Sequence, residues 1–199
     1  MIANLNPWKS IWTRPRETIK VIVHNKLGYG NIYLASMYML QSLLFYANWW
    51  SLGLKFSSYS VLFLSILVSP LLGFTWLFFM SFIYSLTGRM LNGHAPAAHL
   101  RTVIAWAKIP TSINLLMWLV LTFLSSETVF IQDGGGPSSI FIYSIIFIVG
   151  IWSFILLLKG LAQVQKFSNW RSFTNIIFAI LLSNLTLFIF FLLLRYLYY

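Results

Sequence analysis

Cysteine is absent from the 199 residues, and acidic residues are nearly so. Without a thiol the chain has no disulfide, no thiolate metal ligand and no cysteine nucleophile. Three Asp and Glu stand against 13 Lys and Arg, a formal net charge of +10, and no carboxylate lies inside a long apolar run. General acid–base catalysis and a lysine–carboxylate proton relay therefore lack their parts. The serines lie in no nucleophile-elbow pattern. Asp133-Gly134-Gly135-Gly136-Pro137 lacks the lysine and hydroxyl of a phosphate-binding loop and reads as a flexible outer loop. His94 and His99 are five residues apart, a step that does not put both on one helical face, and no carboxylate is near them. The sequence predicts no enzyme, no cofactor and no metal.

Charge of either sign is scarce. Charged residues make up 8% of the chain, against about a quarter in a water-soluble domain whose surface must be solvated. Hydrophobic residues reach 59% and the mean hydropathy is +0.82. Lipid must do the covering that water cannot. The basic residues are scattered between apolar runs and form no dense tract, which argues against a nucleic-acid partner. The first 29 residues show no cleavable signal peptide, so the first span is expected to direct insertion itself.

What is present is a series of apolar runs, each near the roughly 20 residues needed to cross about 30 Å of hydrocarbon. They predict an all-α, polytopic integral membrane protein: a cytoplasmic amphipathic segment over 1–29, then a membrane domain over 30–199 with five transmembrane helices. The spans fall at about 32–54, 59–86, 103–125, 139–161 and 173–196. The first holds Gln41 and Asn48, the second Pro70 and Gly73, the third Lys108 and Pro110. Basic residues concentrate on the cytoplasmic side of membrane proteins. With the N-terminus inside, that side holds Lys9, Arg14, Arg16, Lys20, Lys26, Arg89, Arg101, Lys159, Lys166 and Arg171, while the outside holds only Lys55 and Arg195. The expected orientation is N-terminus cytoplasmic and C-terminus outside, in a bacterial cytoplasmic membrane.

In the N-terminal segment Trp8, Ile11, Trp12, Pro15, Ile19, Ile22 and Val23 recur at three- and four-residue steps. Asn6-Pro7 reads as an N-cap followed by proline in the first turn, and Pro15 kinks or restarts the helix. Such a helix either lies on the anionic leaflet or packs its apolar face on the protein's own cytoplasmic loops. Lys108 stands about 9 Å into its span at 1.5 Å per residue. An intramembrane cation usually faces a bundle interior or wet cavity, although a lysine near a helix end also snorkels to the interface. Pro110 frees the carbonyl of Trp106. With Thr111, Ser112 and Asn114 this suggests an anion- or headgroup-binding pocket. Pro70 and Pro110 are candidate kinks, which transporters use at binding sites and which ordinary membrane helices also tolerate. Trp49, Trp50, Trp106, Trp118, Trp170, Tyr196, Tyr198 and Tyr199 fall near the predicted interfaces, as an aromatic belt does.

Four ordered blocks carry a resemblance. They are the run from Asn6 to Ile19, Gly88-Arg89 followed by Asn92-Gly93, the run from Ala105 to Pro110, and Gly160 to Arg171 with Gln163 and Gln165 inside it. Together, over nearly the whole chain, they resemble prokaryotic members of the Yip domain family. The resemblance implies a five-span fold with a cytoplasmic N-terminus. Eukaryotic relatives interact with Rab-type GTPases in vesicle trafficking and membrane shaping. This chain lacks their long cytoplasmic domain and their Asp-Leu-Tyr-Gly-Pro motif, and Gly28-Tyr29-Gly30-Asn31 only loosely matches their Gly-Tyr motif, which argues against a GTPase partner. The functional expectation is a membrane protein that binds partners or anionic lipid headgroups through Trp8, Trp12, Arg14, Arg16, Arg89, Arg101, Lys108, Gln163, Gln165 and Arg171. Homo-oligomerisation or membrane-protein partners are compatible with it. The alternative is a small transporter or channel using Lys108 and the proline-bearing second and third spans.

Overall fold

The computed structural model describes residues 6–132 and 137–198, without the side chains of 137, 138 and 198. The glycine-rich stretch at 133–136 and Tyr199 lie outside the described residues. Those described form helices and connecting turns without a strand. The helices are α1 (Pro7–Ser10), α2 (Pro15–Asn25), α3 (Asn31–Trp49), α4 (Ser58–Met90), α5 (Ala97–Trp106), α6 (Thr111–Leu124), α7 (Pro137–Gln165) and α8 (Asn169–Tyr198), with a short 3-10 turn at Leu52–Leu54.

The ends of these helices follow from local chemistry. Asn6 caps α1 by accepting from the Trp8 N–H at 3.1 Å, and Pro7 occupies the first turn, where its missing N–H costs nothing. Pro15 opens α2 in the same way. At the end of α4 the Gly93 N–H reaches back to the Gly88 carbonyl at 2.8 Å and the Asn92 N–H to the Arg89 carbonyl at 3.0 Å. Asn92 is left-handed at φ 61°, which completes a Schellman cap. α7 ends similarly, with Lys166 at φ 57° and the Phe167 N–H on the Ala162 carbonyl at 3.0 Å.

By length and apolarity, three described helices suit a membrane crossing: α4, α7 over Ser139–Gln165, and α8 over Asn169–Leu197. The α5–α6 pair makes a fourth if taken as one broken span. The expected third span is therefore two helices with turns at 107–110, not one. The expected first span appears as α3, which is 19 residues long but is not among the apolar crossers. Its Asn31, Gln41 and Asn48 turn inward and are buried. Pro70 lies within α4, which continues through it.

The chain divides into two compact units. One comprises Gly30–Leu77 and Ala105–Leu157. Here α3 packs on α6 around Leu44, Ala47, Val61, Leu62, Leu115, Trp118, Val129 and Phe130. Gly73 permits a close approach of α4 to α3, because a Cβ there would stand 2.8 Å from the Ala35 backbone. Asn48 donates to the Val129 carbonyl at 2.8 Å, Gly53 N–H to that of Phe130 at 2.8 Å, and the Ser58 hydroxyl to that of Ser126. These bonds hold the loop after α6 against the end of α3. Trp106 and Trp118 are fully buried, so they are core residues and not part of an aromatic belt; Trp49, Trp50, Trp170 and Tyr196 are exposed as a belt requires.

The other unit comprises Met1–Tyr29, Phe78–Ile104 and Leu158–Tyr199. Ile11, Ile19 and Ile22 are 1%, 2% and 0% exposed, so protein already covers this part of the N-terminal apolar stripe. Gly160 makes room for it: a Cβ there would meet Val103 at 2.7 Å and Ile19 at 3.7 Å. Of the two stripe tryptophans, Trp8 is exposed and Trp12 half-buried. The α8 helix contributes Ser172, Asn175, Ile176 and Ala179 to this core, while Leu185 through Leu197 are exposed.

Candidate functional site

In the unit containing the N-terminus, Phe78, Ser81, Phe82, Ser85, Leu86 and Arg89 recur at three- and four-residue steps on α4 and so share one helical face. With Ala97 and Arg101 of α5 they line a groove of about 340 Å³. The Arg101 guanidinium lies 4.5 Å from the centre of the Phe78 ring, a cation–π arrangement that holds the head at the groove. Arg89 is exposed in the last turn of α4. The unit contains one acidic residue, Glu17, and this faces Arg14 at 3.8 Å. Two arginines thus share a groove whose unit has no other acidic side chain to neutralise them.

Behind this groove Gln165 is 5% exposed. Its Oε1 accepts from the Ala95 N–H at 3.2 Å and its Nε2 donates to the Tyr84 carbonyl at 3.5 Å. A side chain at Gly88 or Gly93 would collide with it. The Gly88, Gly93 and Gln165 positions therefore form a lock at the ends of α4 and α7. Deeper in, the Thr87 hydroxyl lies 2.6 Å from the Asn175 amide oxygen. Arg16 donates to Asn169 at 2.6 Å. Gln163 is half-buried and Arg171 exposed.

Lys108 belongs to the other unit and has different surroundings. Its half-buried ammonium lies 4.4 Å from the Tyr38 ring centre and 5.9 Å from that of Trp76, rings whose own centres are 4.5 Å apart. The Trp106 carbonyl expected to be free accepts from the Ile109 N–H at 3.3 Å. Ser153 of α7 donates to the Ala107 carbonyl at 2.8 Å, and Thr111 to that of Lys108 at 2.6 Å. Ser112 donates to Ile109 at 2.7 Å. The hydroxyls read as anion ligands are thus used to close the helix break. The buried Asn114 Oδ1 has no hydrogen-bond partner. Lys108 sits in an aromatic box and belongs to a different unit from Arg89 and Arg101. His94 is exposed and His99 half-buried, and the described residues contain no group of three or more suited to a metal.

Phe78, Ser81, Phe82, Ser85, Tyr38 and Trp76 were not among the residues singled out from sequence. The stripe from Phe78 to Arg89 had a readable signal, since its steps are helical and it ends on a cation. That signal is faint because α4 is apolar on its other faces as well. Nothing in the sequence pairs Tyr38 and Trp76 with Lys108.

No curated protein and no solved structure is similar to the chain at a significant level. The family model of the Yip1 domain matches residues 9–192. That match takes in the first ordered block from Lys9 onward, the other three blocks whole, the Gly88–Gly93–Gln165 lock, α4, α7 and α8 as far as Leu192, and the chain belongs to the Yip1 domain family of integral membrane proteins.

Proposed function

We propose that this Yip1-family protein is a non-enzymatic, five-span membrane protein that binds anionic lipid headgroups, or acidic partners, through a basic cytoplasmic face. The family is not a known enzyme family. In this reading α3 and the broken α5–α6 pair join α4, α7 and α8 as spans, the N-terminus is cytoplasmic and the C-terminus outside. One observation carries the reading: the ten basic residues assigned to the cytoplasmic side by charge come from three separate segments of one compact unit, which also holds Arg195 near the far end of α8. A cationic surface of that kind attracts anionic lipid at about 1 kcal/mol per basic residue near the leaflet. The transporter alternative has less support, because Lys108 faces two rings and its neighbouring hydroxyls serve backbone carbonyls.

The test is the lipid composition that accompanies the full-length protein. Extracted from, or reconstituted in, a mixture of phosphatidylcholine and phosphatidylglycerol, it should enrich the anionic lipid over the bulk ratio. Reversing charge at Lys9, Lys20 and Arg171 should reduce the enrichment. Bulk composition around the wild type would contradict the reading.

A further inference from the structure

We propose that the groove lined by Arg89 and Arg101 is a discrete binding site for one anionic glycerophospholipid, with the phosphate between the two guanidinium groups and an acyl chain along Phe82 and Leu86. The inference rests on the reading of a basic, lipid-binding face and gives it one place and one ligand class. Three observations lead to it. The groove is amphipathic along its length: Phe78, Phe82 and Leu86 are exposed at 42%, 63% and 42%, and Ser85 and Arg89 follow on the same face of α4. At about 1.5 Å per residue the 33 residues of α4 run to about 50 Å, well beyond the roughly 30 Å of hydrocarbon. With that excess shared between its two ends, the last turns, with Ser85 and Arg89, reach headgroup level while Phe78 and Phe82 stay nearer the acyl region.

Charge is the second observation. Arg101 is half-buried, and its guanidinium faces the Phe78 ring. No hydrogen bond or ion pair engages the Arg89 guanidinium among the described residues, and the only acidic side chain in the unit, Glu17, faces Arg14. A basic residue in the last turn of a helix does complement the macrodipole, which accounts for one cation at Arg89. It does not account for Arg101, which comes from a second helix and lines the same groove. A counter-anion from outside the chain satisfies both, and guanidinium forks match phosphate oxygens bidentately.

The third observation is rigidity. The Schellman cap at Asn92-Gly93 and the buried Gln165 fix the end of α4 and the approach to α5, so both arginines stand on a built frame. A site on fixed elements discriminates headgroups better than a cluster on a mobile loop.

The experiment is native mass spectrometry of the full-length protein in detergent, titrated with phosphatidylglycerol, phosphatidylcholine and the water-soluble glycerol 3-phosphate. One phosphatidylglycerol should stay bound under conditions that strip phosphatidylcholine. Arg89→Gln/Arg101→Gln should weaken it about a hundredfold, from two charge-assisted contacts of about tenfold each. Lys55→Gln, in the other unit, should change nothing. Phe82→Ala should weaken the lipid by several-fold, in line with lost apolar contact, without creating a preference for phosphatidylcholine. If the double variant loses its fold, judged by gel filtration and thermal melting, Arg89→Lys and Phe82→Ala read the same site. Displacement of the lipid by equimolar glycerol 3-phosphate would overturn the acyl-chain part. Anionic enrichment that persists undiminished in well-folded Arg89→Gln/Arg101→Gln would overturn the groove and leave the basic-face reading standing. Absence of any anionic preference in the wild type would overturn both.

Discussion

The Arg16 guanidinium donates to the Asn169 side-chain oxygen at 2.6 Å, across 153 residues of sequence. Asn169 begins α8, so this bond ties α2 to the start of the last helix. Both residues are exposed, and a single charged hydrogen bond in that setting contributes on the order of 1 kcal/mol. Arg16→Gln should therefore leave thermal stability almost unchanged but accelerate amide hydrogen exchange in residues 15–25. Unchanged exchange there would show that the buried Ile19 and Ile22 hold the segment unaided.

Gly88 and Gly93 are expected to tolerate no side chain while Gln165 is present. Gly88→Ala and Gly93→Ala drive a methyl into the Gln165 amide, and overpacking of that kind costs about 1–3 kcal/mol. Adding Gln165→Ala should recover part of the melting temperature lost by Gly88→Ala, because the colliding group is removed. A double variant less stable than the two losses combined would contradict the lock.

Lys108 is predicted to be dispensable for folding, unlike its box. The ammonium has two aromatic faces and enters no ion pair among the described residues, so Lys108→Met should melt at or above the wild-type temperature. Trp76→Leu in the wild-type background should lower stability by about 1 kcal/mol through the lost cation–π contact, and by less in the Lys108→Met background. Equal losses in the two backgrounds would remove the lysine from the explanation.

Asn48→Leu tests the clamp on the loop after α6. The Asn48 amide donates to Val129 at 2.8 Å and stands 3.4 Å from the Tyr143 hydroxyl. Leucine leaves the buried Val129 carbonyl without that donor, a penalty of about 1–3 kcal/mol. Protease cleavage near residues 125–132 should appear in the variant and be absent from the wild type.

Local chemistry and long apolar runs are visible in the sequence, whereas contacts between distant residues are not. The long helices were legible because runs such as 139–161 and 173–196 are nearly uninterrupted, and apolarity of that length has few solutions in water. The Asn6-Pro7 cap and the restart at Pro15 were legible because both rest on chemistry within two or three residues. The break around Lys108 was only partly so: Pro110 announces a disturbance, but the Ser153 hydroxyl that satisfies the Ala107 carbonyl is 46 residues away. The stripe of Ile11, Ile19 and Ile22 was visible as a face, whereas what covers it was not, since periodicity is blind to the partner. The groove was missed for a related reason: in a helix apolar on every side, Phe78, Ser81, Phe82 and Ser85 do not stand out until Arg101 from another helix is placed beside them.

The central claim, that three basic segments share the cytoplasmic side of a five-span protein, is open to direct measurement because the chain has no cysteine of its own. Single cysteines placed by His24→Cys, His94→Cys, Ser168→Cys, Lys55→Cys and Glu127→Cys can each be labelled with a membrane-impermeant maleimide. In intact cells, positions 55 and 127 should react, while 24, 94 and 168 should react only after the membrane is opened. Labelling of 24 and 55 from the same side would show that α3 does not cross. Labelling of 24, 94 and 168 from different sides would contradict the shared basic face itself.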